Sequence, residues 1–169
     1  MSKMHVISPA PSASYRPGAL QQIPWSEFAR RATRTDAEGF PVEGFFGVSW
    51  AADIDLRTAT EDEIKAAMLR RASAWGEQRM AATLHRDTQM LLQVYNTLKK
   101  GEIIAFKKGT TIIAFVELTS DYQFCPDERW GWHSWSYRLV RKATAADQPA
   151  NRGALVKTFF PHFLTRPLL

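Results

Sequence analysis

Apolar positions gather most densely between Ile103 and Leu118. There Ile103-Ile104-Ala105-Phe106 and Thr111-Ile112-Ile113-Ala114-Phe115-Val116-Glu117-Leu118 flank a Lys107-Lys108-Gly109-Thr110 break. Two short runs rich in Ile, Phe, Val and Thr around a Gly-containing turn predict a hairpin with largely buried strands. Downstream, Trp135, Tyr137 and Leu139 alternate with Ser136, Arg138 and Val140, which predicts a third strand with unlike faces. Phe45 to Trp50 is a fourth strand candidate, and Trp50 stands at its end.

Elsewhere the period lengthens. Thr60-Glu61-Asp62-Glu63 has the form of a capping box, in which the Thr60 hydroxyl and the Glu63 carboxylate satisfy each other's backbone amides. A helix is therefore expected from Thr60, with Ile64, Met68, Ala72 and Trp75 on one face. A second helix is expected from about His85 to Leu98, where Leu84, Leu91, Tyr95 and Leu98 share a side and Gly101 follows as a stop. Ile23 to Arg31 reads as a short helix with Trp25 and Phe28 facing inward. Residues 1–20, dominated by Pro, Ser and Ala, read as an extended or mobile lead-in to a single domain over 21–169. The apolar patch from Phe159 to Leu164 reads as a short C-terminal element packed back on that domain.

Composition narrows the function classes. The 169 residues are enough for one domain with a real core. The net charge of +5 favours an anionic partner such as nucleic acid. The excess is local, since nine Lys or Arg between Lys65 and Lys108 stand against Glu77, Asp87 and Glu102. Lys99, Lys100, Lys107 and Lys108, with Arg70, Arg71, Arg79 and Arg138, are candidates for nucleic-acid backbone contacts. A solvated basic face is the plainer alternative. Cys125 is the single cysteine, which rules out an internal disulfide and a thiolate-rich zinc site and fits a reducing, cytoplasmic setting. No apolar run approaches the ~20 residues of a membrane-spanning helix.

Catalytic chemistry is sparse. The four histidines lack metal-ligand spacing, and neither a Gly-rich phosphate loop nor a nucleophile-elbow pattern occurs. Cys125 with His133 is the one pair that invites a nucleophile reading, and a packed thiol explains it as simply. The expectation is a non-enzyme without cofactor or metal. What stands out instead is the aromatic segment Tyr122, Phe124, Trp130, Trp132, Trp135 and Tyr137. Such a segment either closes a core or builds a surface on which flat ligands stack.

The pieces Pro17-Gly18, Trp25-Ser26-Glu27-Phe28, Gly47-Val48-Ser49-Trp50 with Asp53-Ile54-Asp55-Leu56, Leu98 to Ile104, and Val116 to Phe124 follow one another in the chain. Together they resemble the EVE-type modules at the N-terminus of McrB-like restriction proteins, which are PUA-like domains related to the YTH readers. The resemblance implies an α+β fold, a small, strongly bent β-barrel flanked by helices. It also implies a pocket of aromatic side chains that holds one modified base flipped out of nucleic acid, with DNA favoured over RNA. A separate nuclease or NTPase would act as effector. On this basis Trp50 and Trp130 or Trp132 are the leading cage candidates, Trp75 and Tyr122 are further ones, and Ser49 and Asp53 are candidate partners for the base edge. Trp25 and Trp135 are assigned to the core. The alternative is a PUA-like RNA-binding or protein-interaction domain without a modified-base pocket.

Overall fold

The computed structural model describes residues 3–7, 31–48, 51, 53–74, 81–126, 132–150 and 159–163, with side chains for all of these but 3, 71–74, 81, 82, 132 and 159–163. Among them are eight strands, two α-helices and one 3-10 turn at Ala145–Asp147. The strands are β1 Lys3–Ile7, β2 Ala32–Thr35, β3 Pro41–Val48, β4 Ile103–Lys108, β5 Thr111–Leu118, β6 Gln123–Cys125, β7 Trp132–Lys142 and β8 Phe159–Phe163. The helices are α1 Glu61–Ala74 and α2 Ala81–Thr97. Seven strands follow the order β2-β3-β7-β5-β4-β1-β8, and β6 adds to β7 off this path. The domain is thus a mixed α and β fold built on one sheet, whose end strands β2 and β8 are not joined among the described residues.

The hairpin expected from the sequence is β4 and β5, antiparallel from Ile103↔Glu117 to Lys108↔Thr111. Its turn uses Gly109 at φ 58°, a left-handed value that glycine adopts without steric cost. β7 is the longest strand at 11 residues, and it organises the sheet. One of its edges pairs with β3 from Val48↔His133 to Glu43↔Arg138. The other pairs with β5 over Tyr137 to Lys142, and then with β6 over Trp132 to Ser134. β6 therefore resumes the line of β5 after the break at Thr119–Asp121.

The largest fully buried side chains on the helix side of the sheet are Phe46, Phe106, Trp135 and Tyr137, packed with Ile64, Met68, Leu91, Val94 and Leu98 of the helices and their ends. A second, smaller core of Met4, Val6, Ala105, Ile112 and Phe115 lies on the other face. β4 is buried on both sides, with Ile104 and Phe106 toward the helices and Ile103 and Ala105 toward the second core. Register shifts near Phe106/Lys107 and Phe115/Val116 leave Ile113 and Val140 as extra residues. Such bulges bend a strand and change which face its side chains serve. The second one brings Arg141 over the Phe115 ring at 4.3 Å.

Both expected helices form. The Thr60 amide donates to Glu63 Oε2 at 2.7 Å and the Glu63 amide donates to Thr60 Oγ1 at 3.3 Å, so the capping box is in place. Helix α2 begins at Ala81, earlier than the spacing indicated, and ends before Gly101, whose φ of 88° turns the chain toward β4. One expectation is corrected. Lys3–Ile7 is not part of a free lead-in but a strand, parallel to β4 through His5↔Ile104 to Ile7↔Phe106 and paired on its other edge with β8. Five residues are too few to show a period beside the Pro- and Ser-rich stretch that follows, and it is burial of Met4, Val6 and Ile7 that stabilises the strand. The C-terminal patch does pack back, as β8. The helix expected at Ile23–Arg31 lies almost wholly outside the described residues.

Beyond β7 the chain is tied down by Arg141, whose guanidinium grips Asp147 through 2.7 and 2.8 Å bonds. The Asp147 side chain is only 5% exposed, and the Arg141 guanidinium holds its carboxyl well below the usual carboxylate range. A depressed folded-state value means this contribution is complete above the ordinary carboxylate range and is lost as pH falls below about 4. Asp147→Asn should cost ~1–3 kcal/mol at pH 7, because it leaves a half-buried guanidinium with a weaker acceptor. Thermal unfolding followed from pH 7 to 2 checks this: the wild-type protein should lose more of its melting temperature over the acid range than the variant does.

Candidate functional site

His133 and Tyr122 join the sheet to the stretch between Ala51 and Leu56. His133 is the first residue of β7 paired with both β3 and β6, and its ring is fully buried between Phe124 and Tyr122, stacked at 6.1 and 5.8 Å. His133 Nε2 lies 3.1 Å from the Ala51 carbonyl oxygen, so in the neutral ring this nitrogen carries the hydrogen and donates it. Nδ1 is then the acceptor for the Tyr122 hydroxyl, 2.9 Å away. The Tyr122 oxygen in turn accepts the Leu56 amide at 3.1 Å. Burial pushes the Tyr122 hydroxyl far above the ordinary phenol value, so it stays protonated and can donate.

Beyond Leu56 the chain runs along the first half of α1 and leaves a cleft of about 420 Å³. Its lining is Ile54, Asp55, Thr58, Ala59, Glu63, Ala66 and Arg70, within the ~300–1,000 Å³ usual for small-ligand sites. Ile54, Ala59 and Ala66 supply apolar surface and the rest supply polar groups. Asp55 is held below its ordinary value chiefly by hydrogen bonds from the Arg57 side chain, so it is an ionised acceptor at neutral pH. Glu63 is lowered by the backbone amide and hydroxyl of Thr60. Arg70 reaches Asp53 at 3.1 Å across the rim.

A row of cations and rings leads from this cleft to the end of α2. The Arg57 guanidinium lies over the Tyr122 ring at 5.9 Å, Tyr122 meets Tyr95 edge to face at 5.0 Å, and the Lys99 ammonium lies over Tyr95 at 4.9 Å. Lys100 follows, its backbone amide donating to Asp121 next to Tyr122. Lys99 and Lys100 are exposed, and no carboxylate among the described residues forms an ion pair with either.

The candidates named from sequence separate on this frame. Asp53 and Arg70 come together at the cleft rim. Ser49, Trp50, Trp75, Arg79 and Trp130 lie outside the described residues, as do the side chains of Arg71 and Trp132. Tyr122 is corrected from a stacking surface to a buried pin, 8% exposed, with His133, Tyr95, Trp135 and Arg57 around its ring. The four lysines are not one cluster. Lys99 and Lys100 precede β4 and Lys107 and Lys108 end it, so the Gly101 turn and the strand from Ile103 to Lys107, ~13 Å long, separate the pairs. Arg138 is on the sheet face away from the helices, where it pairs with Glu117 at 2.8 Å.

Lys107 is the clearest departure from a surface role. It is 4% exposed, beside Ile112 at the end of the second core, and its ammonium donates to the Gly109 carbonyl at 3.2 Å. Alternation along β4 carries Lys107 to the same side as Ile103 and Ala105, opposite Ile112, although its charge marks it as a surface residue. The sequence does not single out Asp55, Arg57 and Thr58 as site residues, and it raises His133 only with Cys125 as a nucleophile pair. Only the adjacency of Asp55 and Arg57 to the Asp53 candidate hinted at them, because their convergence depends on contacts 66 to 82 residues apart along the chain. No family model, curated protein or solved structure matches this chain.

Burial lowers Lys107 from its ordinary value of 10.5. The unfolded chain therefore holds this proton to higher pH than the folded one, and stability should rise with pH on the alkaline side below that value. Lys107→Met removes the buried charge, so its melting temperature at pH 7 should equal or exceed that of the unmutated protein. Scanning calorimetry between pH 7 and 10 should show the alkaline gain in the wild type and its loss in the variant.

Proposed function

We propose that the protein is a non-catalytic reader that binds nucleic acid, DNA before RNA, by taking one modified base out of the strand and into a pocket beside the Ala51–Ala59 stretch. The fold we propose for it is a PUA-like barrel, and the two bulges that bend the sheet support that reading. The observation that carries the function is the juxtaposition of the cleft with Lys99 and Lys100. A ligand-sized recess lined by both apolar and ionised side chains opens at the same end of the sheet as the exposed cation pair, joined to it through Arg57, Tyr122 and Tyr95. Trp50, with Trp130 or Trp132, supplies the stacking faces in this reading, on the strength of the sequence resemblance.

The chemistry is consistent in magnitude. Extracting a base costs a few kcal/mol of stacking and pairing. Each aromatic stack returns ~1–3 kcal/mol. Asp55 and Thr58 would address the polar edge of the base, while phosphates meet Lys99 and Lys100 and make affinity salt-dependent. Asp55 and Glu63 disfavour a phosphate inside the cleft itself, so the anionic backbone runs past its mouth.

Fluorescence anisotropy with duplexes carrying methylcytosine, hydroxymethylcytosine, N6-methyladenine or plain bases tests the reading. One modified duplex should bind at least ~10-fold more tightly than its plain counterpart. Lys99→Ala and Lys100→Ala should each lower the slope of log affinity against log salt by about one, and Lys107→Met should leave it unchanged. Trp50→Ala should weaken the preferred duplex by roughly ten- to a hundredfold with an unchanged melting temperature. Equal affinity for every duplex would reject the reader.

A further inference from the structure

Ala51 has φ 48°, a left-handed conformation that alanine seldom adopts, so surrounding contacts must hold it. Its carbonyl accepts two hydrogen bonds, from the Ile54 amide at 3.3 Å and from His133 Nε2 at 3.1 Å. Five residues on, the Leu56 amide is held by Tyr122. One residue further, Arg57 lies over the Tyr122 ring while it grips Asp55. Ile54 and Asp55, between these tethers, form one wall of the cleft. The wall itself belongs to no helix or strand, and α1 begins only at Glu61.

We infer that Tyr122 and His133 are the positioning residues of this cleft: a single buried Tyr–His pair, in its Nε2–H tautomer, sets the wall that meets the ligand. The effect on ligand binding rests on the reader proposed above; the effect on the wall does not. Tyr122 reaches the wall twice, through its hydroxyl to the Leu56 amide and through its ring to Arg57, and His133 reaches it once. Because the Ala51 carbonyl can only accept, His133 Nε2 carries a hydrogen, and in the neutral ring Nδ1 accepts from the Tyr122 hydroxyl, whose oxygen accepts the Leu56 amide. Neither side chain lines the cleft, and their role is to keep Asp55 at a fixed place and angle. A polar group displaced by about 1 Å from its partner can cost up to a hundredfold in a site that depends on geometry.

Tyr122→Phe keeps the ring and its packing and deletes the hydroxyl. In the ligand-free wild-type protein, long-range ¹H–¹⁵N spectra of the imidazole should show His133 protonated at Nε2, and the Leu56 amide should exchange slowly with solvent. In the variant, Leu56 exchange should rise at least ~10-fold while amides of β4 and β5 keep their protection. Affinity for the preferred modified duplex should fall roughly ten- to a hundredfold with the salt slope unchanged, since Lys99 and Lys100 remain. A His133 protonated at Nδ1, or an unprotected Leu56 amide in the wild type, overturns the inference even if the variant does not fold. So does a freed Leu56 amide with unaltered affinity and base preference. Should the wild type bind no duplex at all, the reader falls, and the tautomer and Leu56 exchange alone decide whether the pair shapes the wall.

Discussion

A fully buried indole with one polar atom must find an acceptor, and the way Trp135 meets that demand holds the domain together. Its Nε1–H donates to the Leu98 carbonyl at 3.0 Å, just beyond the last turn of α2. The same ring stacks on Phe46 of β3 and meets Tyr122 edge to face. One side chain therefore fixes the end of α2 against the middle of β7, and with it the turn that carries Lys99 and Lys100. Loss of the ring would open a large cavity at ~3–5 kcal/mol, and it would also unseat the residue that holds the cleft wall.

From that anchor the site follows with few independent choices. β7 is paired on both edges, so His133 at its start has little freedom, and Tyr122 is held between Trp135, Tyr95 and His133. Rigid elements thus support an irregular wall, and a wall outside helix and strand depends on such support to hold its polar groups in place. The opposite face of the sheet serves another purpose. Arg34, Glu43, Arg138 and Glu117 form a cross-strand ladder of alternating charge over β2, β3, β7 and β5, with ion pairs at 2.9 and 2.8 Å. Exposed pairs of this kind add little stability each, but a one-residue slip would set unlike partners apart, so they favour the observed register.

The separation of the lysines changes how the basic charge is read. Composition shows an excess between Lys65 and Lys108, yet the fold divides it. Arg70 is engaged by Asp53 and Lys107 is withdrawn into the second core, while Lys99 and Lys100 stay in solvent at the far end of the Tyr122–Tyr95 row from the cleft. Net charge states that an anion is a plausible partner; only the position of each charge says where it would lie.

The sequence by itself determined the local elements whose signals are short-range. The capping box at Thr60, the hairpin around Gly109, the Gly101 stop after α2 and the alternation at Trp135 to Val140 all depend on neighbours within a few residues, and all are present. It also carried the assignment of Trp135 to the core. Tertiary structure alone decided the place of Lys3–Ile7, whose five residues become a strand only because β4 and β8 satisfy their backbone groups. It alone decided the burial of Lys107, since the second core that covers this face of β4 is completed by residues remote in the chain, Met4 and Val6 among them. The Tyr122–His133 pair and the cleft wall belong to the same class: their partners are remote in the chain, and nothing in local composition says which hydroxyl will meet which amide once the sheet has closed over them.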